Sequence, residues 1–197
     1  MSRLALASVL LFATTAGAAQ LSRTEQKIVA AVDAHAAADL ALLERSVNIR
    51  SATENIAGVR AVGDLFASEL KAIGFRTAWI DMPPELKRAG HLFAEISGTK
   101  GKRLLLIGHL DTVLEGQPFV RDGNIAHGNG GQDMKGGDVI VIAALRALRE
   151  AGALKDRRII VAFTGDEEDA GQPLDVARRD LIEAARRSDA QRCGARI

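Results

Sequence analysis

From Ser22 onward the chain alternates between helical and strand-like spacing of its apolar residues. Ser22 followed by Glu25 has the form of a capping box, and Ile28, Val29, Val32, Leu40, Leu43 and Val47 then recur at helical intervals. Ile56, Val59, Val62, Leu65, Phe66, Leu70 and Ile73 share one face of a second predicted helix over about 54–73, with Gly74 as its stop. Two strand-like runs follow, 75–82 and 92–97, parted by a loop that holds Pro83 and Pro84. Residues 103–108 form an apolar run fit for the middle of a buried sheet, and 158–164 form another. Between them lie a glycine-rich loop over 112–131, with at most a short hairpin, and a long apolar helix over 134–151 closed by Gly152. Strand, connection, helix and strand make a crossover unit, so the predicted fold class is α/β, with a mostly parallel or mixed sheet and helices on both faces. A further amphipathic helix is predicted over 173–188 with Leu174, Ala177, Leu181 and Ala185 facing in, and no internal repeat is visible.

The first residues follow a different pattern. Arg3 supplies a positive charge, residues 4–18 a short apolar run, and Ala16-Gly17-Ala18 the small residues of a cleavage site, which together predict a secretory signal peptide over 1–18. The competing readings are a buried first helix and a membrane anchor, for which the run is short against the roughly 20 residues of a span. A cleaved signal puts the mature chain outside the cytoplasm, secreted or periplasmic, with no membrane attachment. Composition narrows the chemistry. Lys and Arg total 26 against 25 Asp and Glu, so no overall field recruits nucleic acid or an anionic membrane. The single cysteine, Cys193, excludes an internal disulfide and a four-cysteine zinc site, so a metal would have to rest on His, Asp and Glu.

Ligands of open α/β sheets gather beyond the carboxyl ends of the strands, and three polar clusters fall there. His109 and Asp111 follow the first apolar strand, Asp133 precedes the long helix, and Asp166-Glu167-Glu168 follow the next strand. Each alone has a plainer explanation: a structural histidine, a helix N-cap, a solvated acidic turn. Their convergence on one sheet edge favours chemistry. Residues two apart in extended chain point the same way, so the Asp111 carboxylate can hold one imidazole nitrogen of His109 and leave the other for a metal. One imidazole with several carboxylates suits zinc or a similar divalent ion, and an unligated carboxylate suits a general base, as in metal-assisted hydrolysis. The glycines of HGNGGQDMKGG fit neither a P-loop nor a dinucleotide fingerprint, and no Gly-x-Ser-x-Gly elbow is present. His35, His91 and His127 lack comparable partners and are read as structural.

IGHLDTV, GNGGQDMKGG and FTGDEEDAG, in this order and spacing, resemble the di-zinc metallopeptidases that include glutamate carboxypeptidase, acetylornithine deacetylase, succinyl-diaminopimelate desuccinylase and aminoacylase. The resemblance covers roughly residues 25–188 and looks most like the secreted glutamate carboxypeptidase branch. It implies His109, Asp133 and Glu168 as metal ligands, with Asp133 bridging two zinc ions, Glu167 as general base and Asp111 orienting His109. Zn2+ is the implied cofactor, and Co2+ or Mn2+ suit the same donors. The implied substrates are small peptides or N-acyl amino acids with a free carboxylate.

The sequence departs from that family after residue 188. A third ligand for the first zinc, an inserted dimerisation domain and a late histidine have no counterpart, which leaves two protein ligands per zinc where the family supplies three. The expected division is a signal peptide (1–18), the N-terminal part of a catalytic domain (19–188) and a tail unlike the family (189–197). A truncated or frameshifted product of a longer gene is the expectation, with weak metal binding and an exposed apolar edge or face on its sheet. The alternative to an active hydrolase is an inactive fragment that binds metal weakly or not at all.

Overall fold

The computed structural model describes residues 20–189. The predicted signal peptide and most of the predicted tail, Cys193 included, lie outside the described residues. Helix α1 (Arg23–Asn48) begins on the predicted capping box: Ser22 Oγ accepts from Glu25 N–H at 3.3 Å, and the Glu25 carboxylate accepts from Ser22 N–H at 2.7 Å. Helix α2 (Ile56–Ala72) is capped by Asn55, whose Oδ1 accepts from Gly58 N–H at 3.0 Å, and the chain leaves it through Gly74 at a φ of 87°. Strands β1 (Arg76–Ile80), β2 (His91–Ile96) and β3 (Lys100–His109) follow. The glycine-rich loop contains the short hairpin β4 (Val120–Asp122) and β5 (Ile125–His127). Helix α3 (Gly136–Glu150), strand β6 (Arg157–Thr164) and helices α4 (Leu174–Ala177) and α5 (Arg179–Asp189) complete the described chain. None of the described helices is long and apolar enough to cross a membrane.

The main sheet has the order β1-β2-β6-β3; β2 pairs antiparallel with both neighbours, and β6 runs parallel to β3. The sheet is therefore mixed, with one parallel pair. Strand residues alternate between its faces. Leu92, Ala94, Ile159, Val161 and Phe163 join Leu42 of α1, Val59, Val62, Phe66 and Leu70 of α2, and Ile142 and Leu145 of α3 in the larger core. Phe93, Ile160 and Ala162 face the other way, onto Ala184 of α5. Helices on both faces account for the continuous apolar run of β6, and burying each such side chain contributes roughly 1.5–3 kcal/mol.

The described structure corrects four expectations. Among the described residues, 103–108 are not in the middle of the sheet: β3 is an edge strand there, paired only with β6, and Leu104 and Ile107 are 53% and 54% exposed. Among the described residues an apolar edge of the sheet is thus exposed. The helix expected over 173–188 breaks at Arg178, whose φ of −108° ends α4; Leu174 is exposed, and Ala184 rather than Ala185 is the fully buried alanine. In α1, Val29 and Val32 are exposed while Ala31 and Leu42 face the core, and in α2 Ile56 is exposed. The long helix begins at Gly136 because residues 131–135 form a kinked turn in which Asp133 and Met134 leave helical geometry.

Candidate active site

Two parallel strands must end at the same edge of the sheet, and β3 and β6 do so in register, His109 opposite Thr164. Pairing continues one residue further, Leu110 N–H to Thr164 O at 2.8 Å, which brings 109–111 and 165–168 together. Asp111 is completely buried between them. Its Oδ1 accepts from Glu167 N–H at 3.0 Å, and its Oδ2 accepts from Glu168 N–H at 3.1 Å and Thr53 Oγ1 at 2.7 Å. Burial opposes ionisation of Asp111, but the His109 imidazole beside it, then Thr53 and the two glutamate amides, outweigh burial and hold its carboxyl below its ordinary range. One carboxylate thereby joins the α1–α2 connection, the end of β3 and the acidic loop.

His109 is buried, and its Nδ1 lies 3.0 Å from the Asp111 backbone oxygen and 3.5 Å from Asp111 Oδ1. A carbonyl only accepts, so Nδ1 carries a proton and Nε2 is turned toward the site. The orienting group is thus chiefly the Asp111 backbone carbonyl, with the carboxylate just behind. Nε2 faces Asp133 Oδ1 at 3.0 Å and Glu167 Oε2 at 3.8 Å. Burial opposes charging of this imidazole, but the bonds and charge of Asp111, then Asp133, prevail and raise its pKa to about 9. Burial, aided by the charges of Asp133, Asp111 and Glu167, raises the Glu168 carboxyl above its ordinary range. Such a knot of carboxylates around one imidazole is relieved by a cation.

All five residues singled out from the sequence therefore meet at one end of the sheet. His109, Glu167 and Glu168 each bring a ligand atom within 4.8 Å of the others. Asp133 stands beside His109 Nε2 with its side chain 75% exposed. The histidines read as structural stand apart: His35 pairs with Glu150 on the surface, His127 is exposed on β5, and His91 is buried between backbone groups.

Three supporting residues escaped the sequence reading. Thr53, in a connection without periodicity, carries no pattern that marks it. Lys135 stands two residues after Asp133; it is buried, and its Nζ donates to Ser46 O at 2.9 Å and Ile49 O at 2.8 Å, fixing the Asp133 turn to the end of α1. Burial lowers its pKa to about 8, against the opposing charges of Glu115 and Asp138. Asp138 is completely buried, and neither carboxyl oxygen has a hydrogen-bond partner among the described residues. Burial pushes its pKa well above the carboxylate range. It packs over Gly108, where a Cβ would stand 2.1 Å from Asp138 Oδ1, so only glycine fits at that point of β3. A charged side chain inside the first apolar turn was the available signal for both Lys135 and Asp138. A cavity of about 300 Å³ lined by Ser51, Thr112, Glu115, Asn129 and Lys135 adjoins these loops but includes none of the five site residues.

The profile of Peptidase family M20/M25/M40 matches residues 105–195. Carboxypeptidase G2 from Pseudomonas sp. is 34% identical over 186 residues, which cover 92% of this chain and 44% of that protein. Succinyl-diaminopimelate desuccinylase from Delftia acidovorans is 33% identical over 141 residues, 66% of this chain and 36% of that protein. The chain thus spans less than half the length of these relatives. Among solved structures, human carnosine dipeptidase 1 superposes with a TM-score of 0.67 at 23% identity, covering 81% of this chain and 37% of that one. The di-peptidase Dug1p from Saccharomyces cerevisiae superposes with a TM-score of 0.68 at 18% identity and the same coverage, 81% and 37%. These two likenesses concern the fold.

Proposed function

The chain belongs to peptidase family M20/M25/M40, and on that premise we propose that its site serves zinc-dependent hydrolysis of amide or peptide bonds in small peptides or N-acyl amino acids. The observation that carries this reading is that one imidazole, His109, has Asp133 Oδ1 at 3.0 Å and ligand atoms of Glu167 and Glu168 within 4.8 Å, above a buried Asp111 that bonds both glutamate amides. The donor set fits a divalent ion: an imidazole with Nε2 turned inward and carboxylates held in mutual repulsion. His109, Asp133 and Glu168 would hold the metal, zinc first, with cobalt or manganese compatible with the same donors. A divalent ion supplies acidified water and a polarised scissile carbonyl.

The remaining steps belong to the chain's own residues. Asp111 fixes the His109 tautomer and the height of the acidic loop. Glu167, with its side chain 57% exposed, has the reach to take a proton from the attacking water and pass it to the departing amine. The signal-like residues 1–18 support export, secreted or periplasmic. The resemblance of the IGHLDTV, GNGGQDMKGG and FTGDEEDAG motifs to glutamate carboxypeptidases supports an N-acylated glutamate as the first substrate to try. Calorimetric zinc titration and hydrolysis of such a substrate test the reading on the purified protein. Zinc-stimulated turnover is expected, and Glu167→Gln should lower it about 10²–10⁴-fold while zinc binding persists. Zinc binding without turnover in the unaltered chain would replace the hydrolase with a metal-binding chain.

A further inference from the structure

The break between α4 and α5 sits where two consecutive residues reach toward the acidic loop from behind. Ala177 O accepts from His91 Nε2 at 3.0 Å, and His91 Nδ1 accepts from Gly165 N–H at 3.2 Å. Arg178 Nη1 donates to Asp166 Oδ1 at 2.5 Å and Nη2 donates to Asp166 O at 3.0 Å, while the other carboxylate oxygen of Asp166 accepts from Gly171 N–H at 2.8 Å. Asp166 and His91 are buried. Glu167 and Glu168 therefore lie between two anchors, Asp111 beneath their amides and the His91 and Arg178 ties on the preceding residues. A continuous helix over 173–188 would have bound Ala177 O within its own ladder and denied it to His91.

We propose that the α4–α5 junction is a latch that sets the position of Glu167 and Glu168, with Arg178 and His91 as positioning residues that touch neither substrate nor metal. The inference rests on the hydrolytic reading for its purpose but on the metal site alone for its test. A bidentate guanidinium fixes both a side chain and a carbonyl of one residue, which no neutral side chain of similar length reproduces. His91 supplies one donor and one acceptor at fixed separation. Glutamine carries both groups and phenylalanine carries neither.

Hydrogen exchange and zinc titration of the full chain, unaltered and as His91→Phe, His91→Gln and Arg178→Gln, test the latch. His91→Phe and Arg178→Gln should speed amide exchange selectively over 165–171 and weaken zinc binding about 10–100-fold, with β2 and β6 as protected as before. His91→Gln should restore both properties toward those of the unaltered chain. Faster exchange over 165–171 with unchanged zinc affinity would overturn the proposal, as would a general loss of protection through β6 that glutamine does not rescue. Zinc binding without turnover in the unaltered chain sinks the hydrolytic reading and leaves the latch standing. Failure to take up zinc at all overturns both.

Discussion

Strands β3 and β6 are both continuous apolar runs, they lie side by side in parallel, and each ends in site residues, yet their surroundings are opposite. β6 is flanked by β2 and β3 and covered on both faces, so Ile159, Ile160, Val161, Ala162 and Phe163 are all at most 4% exposed. Among the described residues β3 has one neighbour, and Leu104 and Ile107 remain more than half exposed. Composition reports what a strand tolerates, whereas burial depends on what the rest of the chain places around it. At the carboxyl ends the contrast vanishes. The buried Asp111 takes both glutamate amides from the β6 side, so the edge strand delivers its histidine against a loop anchored in the core.

The largest predicted effect sharpens that contrast. Phe163 is fully buried and meets Phe66 edge to face at a centroid distance of 5.9 Å. Phe163→Ala should cost about 3–5 kcal/mol, read as a lower urea midpoint with an unchanged slope. A loss below about 1 kcal/mol would mean that β6 is no better packed than its neighbour.

The next effect probes the coupling between the two strand ends. With a folded pKa of about 9 against an ordinary value near 6.5, His109 in the metal-free chain holds a proton that the unfolded chain has shed. Its contribution to stability is complete below pH 6.5 and is lost as pH rises through about 9. Asp138, raised by burial, acts in the same direction, and Lys135, lowered to about 8, acts in the opposite direction above that pH. Zinc must displace the His109 proton, so its apparent affinity should rise about tenfold per pH unit from pH 7 toward 9. Calorimetry in buffers of differing ionisation enthalpy would register the released proton. A flat affinity profile over that range would show that the imidazole of β3 is not held by the carboxylates around it.

How much of this was legible in the chain follows the same division. The capping box at Ser22, the stop at Gly74 and the α/β class are written in local signals, and each formed, while the loop over 112–131 holds no more than the short hairpin its glycines allow. His109, Asp111 and the run Asp166-Glu167-Glu168 stand out because polar residues just past apolar strands are a local pattern, and Asp133 because it precedes the long helix; only the resemblance to the di-zinc metallopeptidases narrows these to His109, Asp111, Asp133, Glu167 and Glu168. The edge position of β3, the break at Arg178 and the bonds of Thr53 and Lys135 were not legible. Each depends on partners far away in sequence: β6 for β3, Asp166 for Arg178, Asp111 for Thr53, and the end of α1 for Lys135. Periodicity over 173–188 predicts one helix because it is blind to a carbonyl required elsewhere.

The smallest effect is expected where the edge strand looks most like its buried neighbour. Ile107→Thr keeps a β-branched side chain in the strand and removes apolar surface that is already 54% exposed, so stability should change by less than about 0.5 kcal/mol. The same change should reduce any tendency of the strand edge to associate, visible by sedimentation at high concentration, because the outer edge pairs with nothing among the described residues. A loss of about 2 kcal/mol or more would show Ile107 to be covered in solution. The difference between β3 and β6 would then be one of partner rather than of burial, with the edge completed by contacts outside the described sheet.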